Sequence, residues 1–533
     1  MSQIGKPPCD DALILRGGPA TPCAPSSQRW VLVAAIIGSS MAFLDGTVVN
    51  VSLPAIQRDL HATAFEAQWV VESYALFLAA LLLVGGSLGD RFGRRRIFAI
   101  GVAVFTVASI ACAASGAVER LIVARALQGV GAALLVPGSL ALISASFQQR
   151  ERGRAIGTWS GFSGITAALG PVLGGALVDH YSWAWAFLIN VPLAIVALAI
   201  AWRHVPESRG IAATGGLDVG GALLATVALG GIVYAFIEAP TQHWHAVPVR
   251  AALLAGIAAA VVFALMEQRV RSPMLPLALF RNRDFSGANL LTLLLYAALG
   301  GGLYFFPLTL IQVQGYTAAA AGAALLPFIL IMFVLSRWAG SLVDRFGPKL
   351  PLVAGPVIAA VGFALFALPA AGADHASYWS SFFPAVIVLG LGMTVTVAPL
   401  TTTVMNSVGP DLAGIASGVN NAVSRTAALL AIAVFGMVMA WAFEADMDQR
   451  LREARVPPEV SAFLETQRSK LAGADFPPGT DAAVASTLKR AVQRSYASGF
   501  RWIMLLSAGL ALLSALSAWV LVAGGRRVTR PDR

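Results

Sequence analysis

Charged residues are scarce in this chain. Asp, Glu, Lys and Arg make up 12% of its 533 residues, whereas an average soluble domain contains about 25%. Apolar residues make up 57%. A folded core cannot hide that much apolar surface from water, so much of it must face lipid. A water-soluble protein is therefore not expected.

Cysteine and the common catalytic signatures are also lacking. The three cysteines, Cys9, Cys23 and Cys112, have the spacing of neither a disulfide framework nor a metal site. The sequence contains no HExxH and no GxSxG, and no acid pairs with a histidine inside the apolar runs. These absences argue against a membrane-embedded enzyme. We expect no catalytic residue, no metal and no cofactor.

Basic residues nevertheless exceed acidic ones, 37 to 27, which gives a net charge of +10. Such an excess can indicate a nucleic-acid-binding protein. Here the basic residues occupy short loops between apolar runs, so membrane topology explains them better. The expected partners are the lipid bilayer and a small-molecule substrate, without nucleic acid.

Fourteen apolar runs have the length needed to cross a bilayer, which is about 20 residues for a helix. These runs are too long for barrel strands, and an open sheet edge is not viable in lipid. The sequence therefore predicts an all-α integral membrane protein. The runs lie near residues 30–53, 67–88, 97–116, 120–143, 156–178, 185–203, 217–238, 249–267, 285–310, 318–343, 350–370, 380–404, 413–439 and 498–523.

The distribution of Lys and Arg predicts the orientation. Fifteen of them lie in short loops on one side of the predicted membrane and three on the other, and the basic side is normally cytoplasmic. Both termini are therefore predicted to be cytoplasmic, at the cell (inner) membrane. Residues 1–29 are predicted to form a disordered tail, and residues 526–533 a basic tail.

An internal repeat supports a two-fold plan. Residues 86–93 have the sequence GSLGDRFG and residues 340–347 have GSLVDRFG, a match at seven of eight positions. Each copy closes a helix that runs from outside to inside, the second and the tenth. Parallel repeats of this kind build one large transporter fold. We therefore expect an N-terminal six-helix bundle at 30–206, two inserted helices at 207–275 and a C-terminal six-helix bundle at 276–525.

Three further stretches carry a family resemblance: Leu44–Pro54 (LDGTVVNVSLP), Arg125–Ala133 (RALQGVGAA) and Gly170–Gly175 (GPVLGG). With the repeat, they resemble motifs of the major facilitator superfamily, specifically its fourteen-helix drug/proton antiporter branch, over roughly residues 30–525. The resemblance implies the major facilitator fold and a secondary transporter rather than an enzyme. The repeated halves also favour two moving bundles over a passive channel.

Asp45, Glu72 and Arg125 are the candidate proton-coupling residues. All three fall in the outer halves of predicted helices, where an ionised carboxylate is costly unless it finds a partner. An arginine beside a carboxylate can tune its proton affinity. The alternatives are an interfacial, water-exposed acid for Asp45 or Glu72, and a static pair with Arg125 that only orients helices.

The candidates for contact with substrate are Phe43, Trp69, Tyr74, Asn50 and Gln128. Aromatic rings suit flat apolar or cationic compounds, although an aromatic residue in a membrane helix more often packs or anchors at the interface.

Two sets of residues are predicted to control conformation. The loop at residues 86–96 resembles the superfamily's cytoplasmic signature, which acts there as a latch that stabilises one state of the transport cycle. The stretch Gly170–Gly175 resembles a motif associated with export, although Thr166 stands where that motif usually has glycine. Residues 185–192 and 417–425 are assigned packing and gating roles. The latch residues are Gly86, Asp90, Arg91, Gly93, Arg94, Asp344 and Arg345, and the export-motif residues are Gly170, Pro171, Gly174 and Gly175.

The segment 443–497 is predicted to be an extracytoplasmic loop with helical stretches at 459–471 and 481–492. It could cover the exit or dock an adaptor protein, or it could be a solvated hairpin without a partner. The expected function is proton-driven export of small, largely apolar or cationic compounds by a monomer, powered by the proton gradient. The alternatives are a dedicated exporter of one metabolite (a siderophore, an amino acid or an antibiotic) and a proton-coupled uptake symporter.

Overall fold

The computed structural model confirms a helical membrane protein. Its described residues contain fourteen helices long and apolar enough to span a bilayer and no strand. The structure describes residues 25–147, 149–209, 218–270, 273, 275–368, 377–408, 413–453, 463–464, 467–473 and 482–523. Residues 1–24 and 526–533 of the predicted tails therefore lie outside the described residues, whereas residues 25–29 are not a disordered tail, since the first helix already begins at Pro25.

The fourteen spans are numbered α1 to α14 in chain order. Their bounds are α1 Gln28–Asp59, α2 Ala64–Phe92, α3 Arg94–Ala113, α4 Val118–Ser146, α5 Arg154–His180, α6 Trp185–His204, α7 Val219–Gln242, α8 Val247–Glu267, α9 Arg283–Gln312, α10 Ala318–Ser336, α11 Lys349–Phe366, α12 Tyr378–Asn406, α13 Ile415–Glu453 and α14 Val484–Leu521.

The chain divides into two compact units. Unit 1 contains residues Met1–Met274 together with Tyr316–Ala323, and unit 2 contains Leu275–Gly315 and Ala324–Arg533. Unit 1 thus holds α1 to α8 and the first turn of α10. Unit 2 holds the rest of α10 and the other helices from α9 to α14.

Glycines set the spacing of α2, α3 and α4 inside unit 1. A methyl group on Gly85 of α2 would overlap the carbonyl group of Ala133 on α4, and one on Gly131 of α4 would lie 2.5 Å from the backbone nitrogen of Phe105 on α3. Small residues let membrane helices approach closely because no side chain separates their backbones. This close packing brings the polar residues of α4 against both neighbouring helices.

The two inserted helices pack against each other and against α2. Gly231 of α7 faces α8, and a Cβ there would lie 2.5 Å from the carbonyl oxygen of Ala252. On its α2 side, Gly230 lies next to Leu76 and Tyr234 contacts the ring of Trp69. The inserted pair is therefore anchored to unit 1 through α2.

Both ends of the predicted loop at 443–497 are helical. The helix of α13 continues to Glu453, and the helix of α14 already begins at Ala482, so residues 482–492 extend a spanning helix. The extensions are joined by a hydrogen bond of 2.8 Å from Ser495 to Asp446. Part of the other predicted helix, 459–471, lies outside the described residues, and its described end enters a short 3₁₀ segment, Arg468–Gly473.

Candidate functional site: a buried carboxylate cluster in unit 1

Asp45 of α1 and Arg125 of α4 form an ion pair inside unit 1. Nη1 of Arg125 donates to Oδ2 of Asp45, and the side chains are 1% and 0% exposed. Nε of Arg125 also donates to the backbone carbonyl of Val70 on α2 at 2.9 Å. Charge pairing and hydrogen bonding are what make burial of both groups tolerable. The structure thus brings together two of the three predicted proton-coupling residues.

Gln128, one helical turn after Arg125, belongs to this cluster rather than to an open cavity. Its side-chain nitrogen donates to Oδ1 of Asp45 at 2.7 Å and to Ser109 of α3 at 2.8 Å. Its side-chain oxygen accepts from Nη1 of Arg125 at 2.7 Å. Gln128 therefore links the two charges to α3. The sequence analysis missed Ser109, which is one of two hydroxyl residues, with Thr106, in the apolar part of α3 and gave no stronger signal.

Asn190, in the second turn of α6, is another residue that the sequence analysis did not place at the site. Its Nδ2 donates to Oδ1 of Asp45 at 3.3 Å, and its side chain is fully buried. Oδ1 of Asn190 has no hydrogen-bond partner among the described residues. The stretch 185–192 thus contributes a polar group to the carboxylate, in addition to the packing role expected for it.

Two aromatic rings enclose the guanidinium group. The Cζ atom of Arg125 lies 4.3 Å from the ring centroid of Tyr74 and 5.7 Å from that of Phe187. The hydroxyl of Tyr74 donates to the carbonyl of Ala42 on α1 at 3.1 Å. Cation–π contacts gain strength where water is excluded. Tyr74, predicted to contact substrate, is buried against the ion pair in this conformation.

Glu72 is not part of the cluster. It is fully buried, and neither carboxyl oxygen has a hydrogen-bond partner among the described residues. Val70 and Tyr74 mark the face of α2 that meets Arg125, whereas Trp69 and Leu76 face α7. At 100° per residue, Glu72 lies about 40° from Leu76 and about 60° from Trp69 around the helix, on the α7-facing side. The three predicted proton-coupling residues therefore occupy two separate places.

The other predicted substrate contacts lie in different surroundings. Nε1 of Trp69 donates to Glu238 of α7 at 3.1 Å, so Trp69 anchors the inserted helices. Phe43 is half-buried, with its ring 6.3 Å from that of Trp159 on α5. Asn50 is half-buried, and its Oδ1 has no partner among the described residues. Substrate contact by these three residues remains a prediction.

The first copy of the repeat forms a clasp with residues 205–208 after α6. Glu207 accepts from the backbone nitrogens of Arg95 at 3.0 Å and Arg96 at 3.2 Å. Backbone nitrogens in the first turn of a helix such as α3 have no partner within the helix itself. Gly93 has a φ of +114°, and a Cβ there would lie 2.6 Å from the carboxyl carbon of Glu207. Glycine is therefore required for both conformation and space. The sequence analysis missed Glu207.

The remaining latch residues are arranged around this clasp. Nε of Arg94 donates to Asp90 at 2.8 Å, one turn away on the chain. Arg91 is exposed beside the ring of Phe92, and a Cβ on Gly86 would make only ordinary contact with Pro137. In the second copy, Gly347 has a φ of +74° and Arg345 is exposed. The side chain of Asp344 lies outside the described part of the structure.

The Gly-Pro motif of α5 packs against the helix that carries Asp45. Methyl groups on Gly170 and Gly174 would run into Thr47 and Val48 of α1, the latter at 2.8 Å from Cγ1. Gly175 and Pro171 meet the segment Tyr316–Ala323 of the same unit, where a Cβ on Gly175 would overlap the backbone of Ala318. The motif therefore holds α5 tightly against α1, beside the carboxylate cluster.

A protein-family model described as Major Facilitator Superfamily matches residues 35–432 of this sequence. The chain belongs to the major facilitator superfamily. Members of this superfamily are transporters, so this protein is a multi-pass membrane transporter and not an enzyme.

Several curated proteins are similar to this superfamily member over most of their length. The tetracenomycin C resistance and export protein of Streptomyces glaucescens is 34% identical over 491 residues, which cover 91% of this chain and 90% of that protein. The multidrug resistance protein Stp of Mycobacterium tuberculosis is 35% identical, with 82% and 80% covered. The methylenomycin A resistance protein of Bacillus subtilis is 36% identical, with 77% and 87% covered.

Solved structures support the fold of this superfamily member. A bacterial homologue of the human lysosomal transporter Spinster, in an inward-facing and unoccupied conformation, has a TM-score of 0.66 at 16% identity, covering 93% of this chain and 97% of that one. A D-xylose–proton symporter has a TM-score of 0.60 at 15% identity, with 93% and 98% covered. At these identities the likeness concerns the fold alone, and it confirms the expected major facilitator architecture.

Proposed function

We propose that this protein exports small, largely apolar or cationic drugs in exchange for protons, and that Asp45 is the proton-binding group. The observation that carries this proposal is the carboxylate of Asp45, buried in a membrane helix and held by donors from α4 and α6. Ionisable residues inside membrane segments are costly and characteristically mark ion pathways. The names of the similar resistance and export proteins support the drug substrate.

The coupling follows from the change in charge at Asp45. A proton bound there removes the negative partner of Arg125, which weakens the contacts that join α1 to α4. A ligand shifts a conformational equilibrium only if it binds the two states with different affinities. Protons entering from outside then favour one state and substrate from the cytoplasm or inner leaflet favours the other, which is alternating access. Glu72 is a second carboxylate that could take up a proton.

The proposal includes the placement in the cell. The excess of Lys and Arg in the loops on one side favours cytoplasmic termini in the cell (inner) membrane. The protein works as a monomer, with the proton gradient as its energy source and without a cofactor. An adaptor protein at the extracytoplasmic ends of α13 and α14 remains an alternative to a solvated segment.

A second candidate function is export of a single antibiotic or other metabolite. It is favoured by the tetracenomycin C resistance and export protein, whose name specifies one compound. A susceptibility panel on a deletion strain, combined with profiling of its culture medium, separates the two. Broad hypersensitivity to unrelated drugs supports multidrug export, whereas loss of one compound from the medium supports a dedicated exporter.

Efflux of the fluorescent cation ethidium from expressing cells tests the proposal. We compare wild type with Asp45→Asn and with Asp59→Asn, a control that removes an exposed acid from the same helix. Efflux should stop with an uncoupler and in Asp45→Asn, but continue in Asp59→Asn. Uncoupler-resistant efflux would contradict proton coupling, and proton-driven accumulation of ethidium inside the cells would identify an uptake symporter.

A further inference from the structure

The hydrogen bonds around Asp45 suit only one of its two protonation states. Each of its three side-chain partners donates to it: Nη1 of Arg125, Nε2 of Gln128 and Nδ2 of Asn190. An ionised carboxylate is an acceptor only, so this arrangement fits the ionised form. A protonated Asp45 gains an O–H group, and in a buried site that group needs an acceptor.

The oxygens of the cluster are largely occupied. Oε1 of Gln128 accepts from Arg125 at 2.7 Å and from the thiol of Cys112 at 3.6 Å. Oγ of Ser109 accepts from Gln128 at 2.8 Å, and its own hydrogen goes to the carbonyl of Phe105 at 2.8 Å. Asn190 differs from the other side chains of the cluster, because its Oδ1 accepts no hydrogen bond from the described part of the chain.

Few other contacts fix the orientation of the Asn190 side-chain amide. The contact of α6 with this part of α1 is apolar, formed by Leu44 and Val48 with Ala186 and flanked by Ile189 and Leu193. An asparagine amide has nearly the same shape with its oxygen and nitrogen exchanged. A half-turn about χ2 therefore places Oδ1 where Nδ2 now lies, 3.3 Å from Oδ1 of Asp45.

We propose that Asn190 is the positioning residue that lets Asp45 hold a proton. When the carboxylate is ionised, Asn190 donates to it through Nδ2–H. When a proton from the extracytoplasmic water binds Asp45, the amide turns and accepts the new O–H through Oδ1, and release of the proton reverses the turn. Arg125 keeps its charge throughout. This inference rests on the proposed function, because it requires Asp45 to exchange a proton.

The other groups facing this site are accounted for helix by helix. Arg125 on α4 is charged, whereas Tyr74 on α2 and Cys112 on α3 can titrate. From α5, Gly170 and Gly174 face α1 beside Asp45, and residues 318–323 of α10 are only alanine and glycine. Asn190 can thus change between donor and acceptor without itself gaining or losing a proton, and its oxygen, unlike that of Gln128, has no donor among the described residues.

Infrared difference spectroscopy of the purified full-length protein over a series of pH values tests the inference without any substrate. The band of a protonated carboxyl group that disappears in Asp45→Asn reports Asp45, and its pH midpoint is compared among variants. Asn190→Leu takes one donor from the ionised form, which keeps Arg125 and Gln128, and takes from the acid form its acceptor. The acid form therefore loses more, and the midpoint should fall by about one pH unit, a tenfold change. Asn190→Asp adds a like charge and an acceptor and should raise it.

The matched control is Asn289→Leu, which removes a buried asparagine from α9 of unit 2. The pH midpoint of the Asp45 band is expected to be higher than wild type in Asn190→Asp, lower in Asn190→Leu, and equal to wild type in the control. If Asn190→Leu does not fold, Asn190→Ser replaces it, with a smaller shift in the same direction. Equal midpoints in all folded variants would overturn the role of Asn190 and leave the proposed function standing. A spectrum without any band lost in Asp45→Asn would overturn both.

Discussion

Arg125 on α4 and Asp45 on α1 form an ion pair in which neither side chain is more than 1% exposed. Removing two charges from water costs several kcal/mol per ion, and attraction plus further hydrogen bonds must offset that cost. Gln128 and Asn190 supply such bonds to the carboxylate, and the carbonyl of Val70 supplies one to the guanidinium. The packing of α1 therefore depends on the charge of Asp45.

Removing Arg125 alone should destabilise the protein strongly. Arg125→Leu leaves the Asp45 carboxylate buried without its cation, at a cost of about 3–5 kcal/mol. The double variant Asp45→Leu/Arg125→Leu should recover much of that loss, because no charge is then left unpaired. The fraction of monodisperse protein after heating measures both effects. A double variant no more stable than the single one would show that the ion pair is not what the loss reflects.

Glu72→Gln should leave export through Asp45 in place. Glu72 shares no hydrogen-bond partner with Asp45 and faces α7 instead. A neutral amide has the size of an uncharged carboxyl group and avoids an unpaired charge inside the membrane. Export is measured against pH in Glu72→Gln, Asp45→Asn and the double variant. Loss of export in Glu72→Gln as complete as in Asp45→Asn would mean that the two acids act as one site.

A methyl group should be tolerated at one glycine of α5 and not at another. Gly175→Ala forces a Cβ into the backbone of Ala318, and overpacking of this kind costs about 1–3 kcal/mol. Gly164, on the same helix, has open space around the corresponding position. Gly164→Ala should therefore be neutral or slightly stabilising, since alanine is the better helix former. Thermal stability and export of both variants check this, and equal losses would contradict it.

Glu207→Ala should loosen the cytoplasmic clasp. The variant removes the acceptor for two backbone nitrogens at the start of α3, and loss of a helix cap costs about 0.5–2 kcal/mol. Glu151→Ala is the control, because it removes an exposed acid near the start of α5. Hydrogen exchange at residues 93–97 should speed up in the first variant only. Unchanged exchange in Glu207→Ala would show that the cap is dispensable.

The number and type of helices follow from the sequence, since in lipid the backbone must satisfy its own hydrogen bonds and only helices of sufficient length do so. The ends of α13 and α14 do not follow in the same way. Hydropathy falls where the chain leaves the lipid, but the helices continue because polar contacts such as Ser495 to Asp446 join their extensions.

The candidate site is predictable only in part. A carboxylate and an arginine in apolar helices must find partners, so the pairing of Asp45 with Arg125 could be anticipated. The face on which Glu72 lies could not, because a helix that is apolar on all sides has no hydropathy pattern to fix its rotation. The same holds for Asn190 and Ser109, whose partners are set by helix packing and not by spacing along the chain.

Transport by the purified protein in liposomes tests the central claim most directly. Proton-driven accumulation of ethidium needs a proton to be exchanged, whereas exchange of labelled for unlabelled ethidium at equal pH does not. We expect wild type to perform both, and Asp45→Asn to keep the exchange and lose the accumulation. Accumulation by Asp45→Asn at the wild-type level would contradict proton coupling through Asp45.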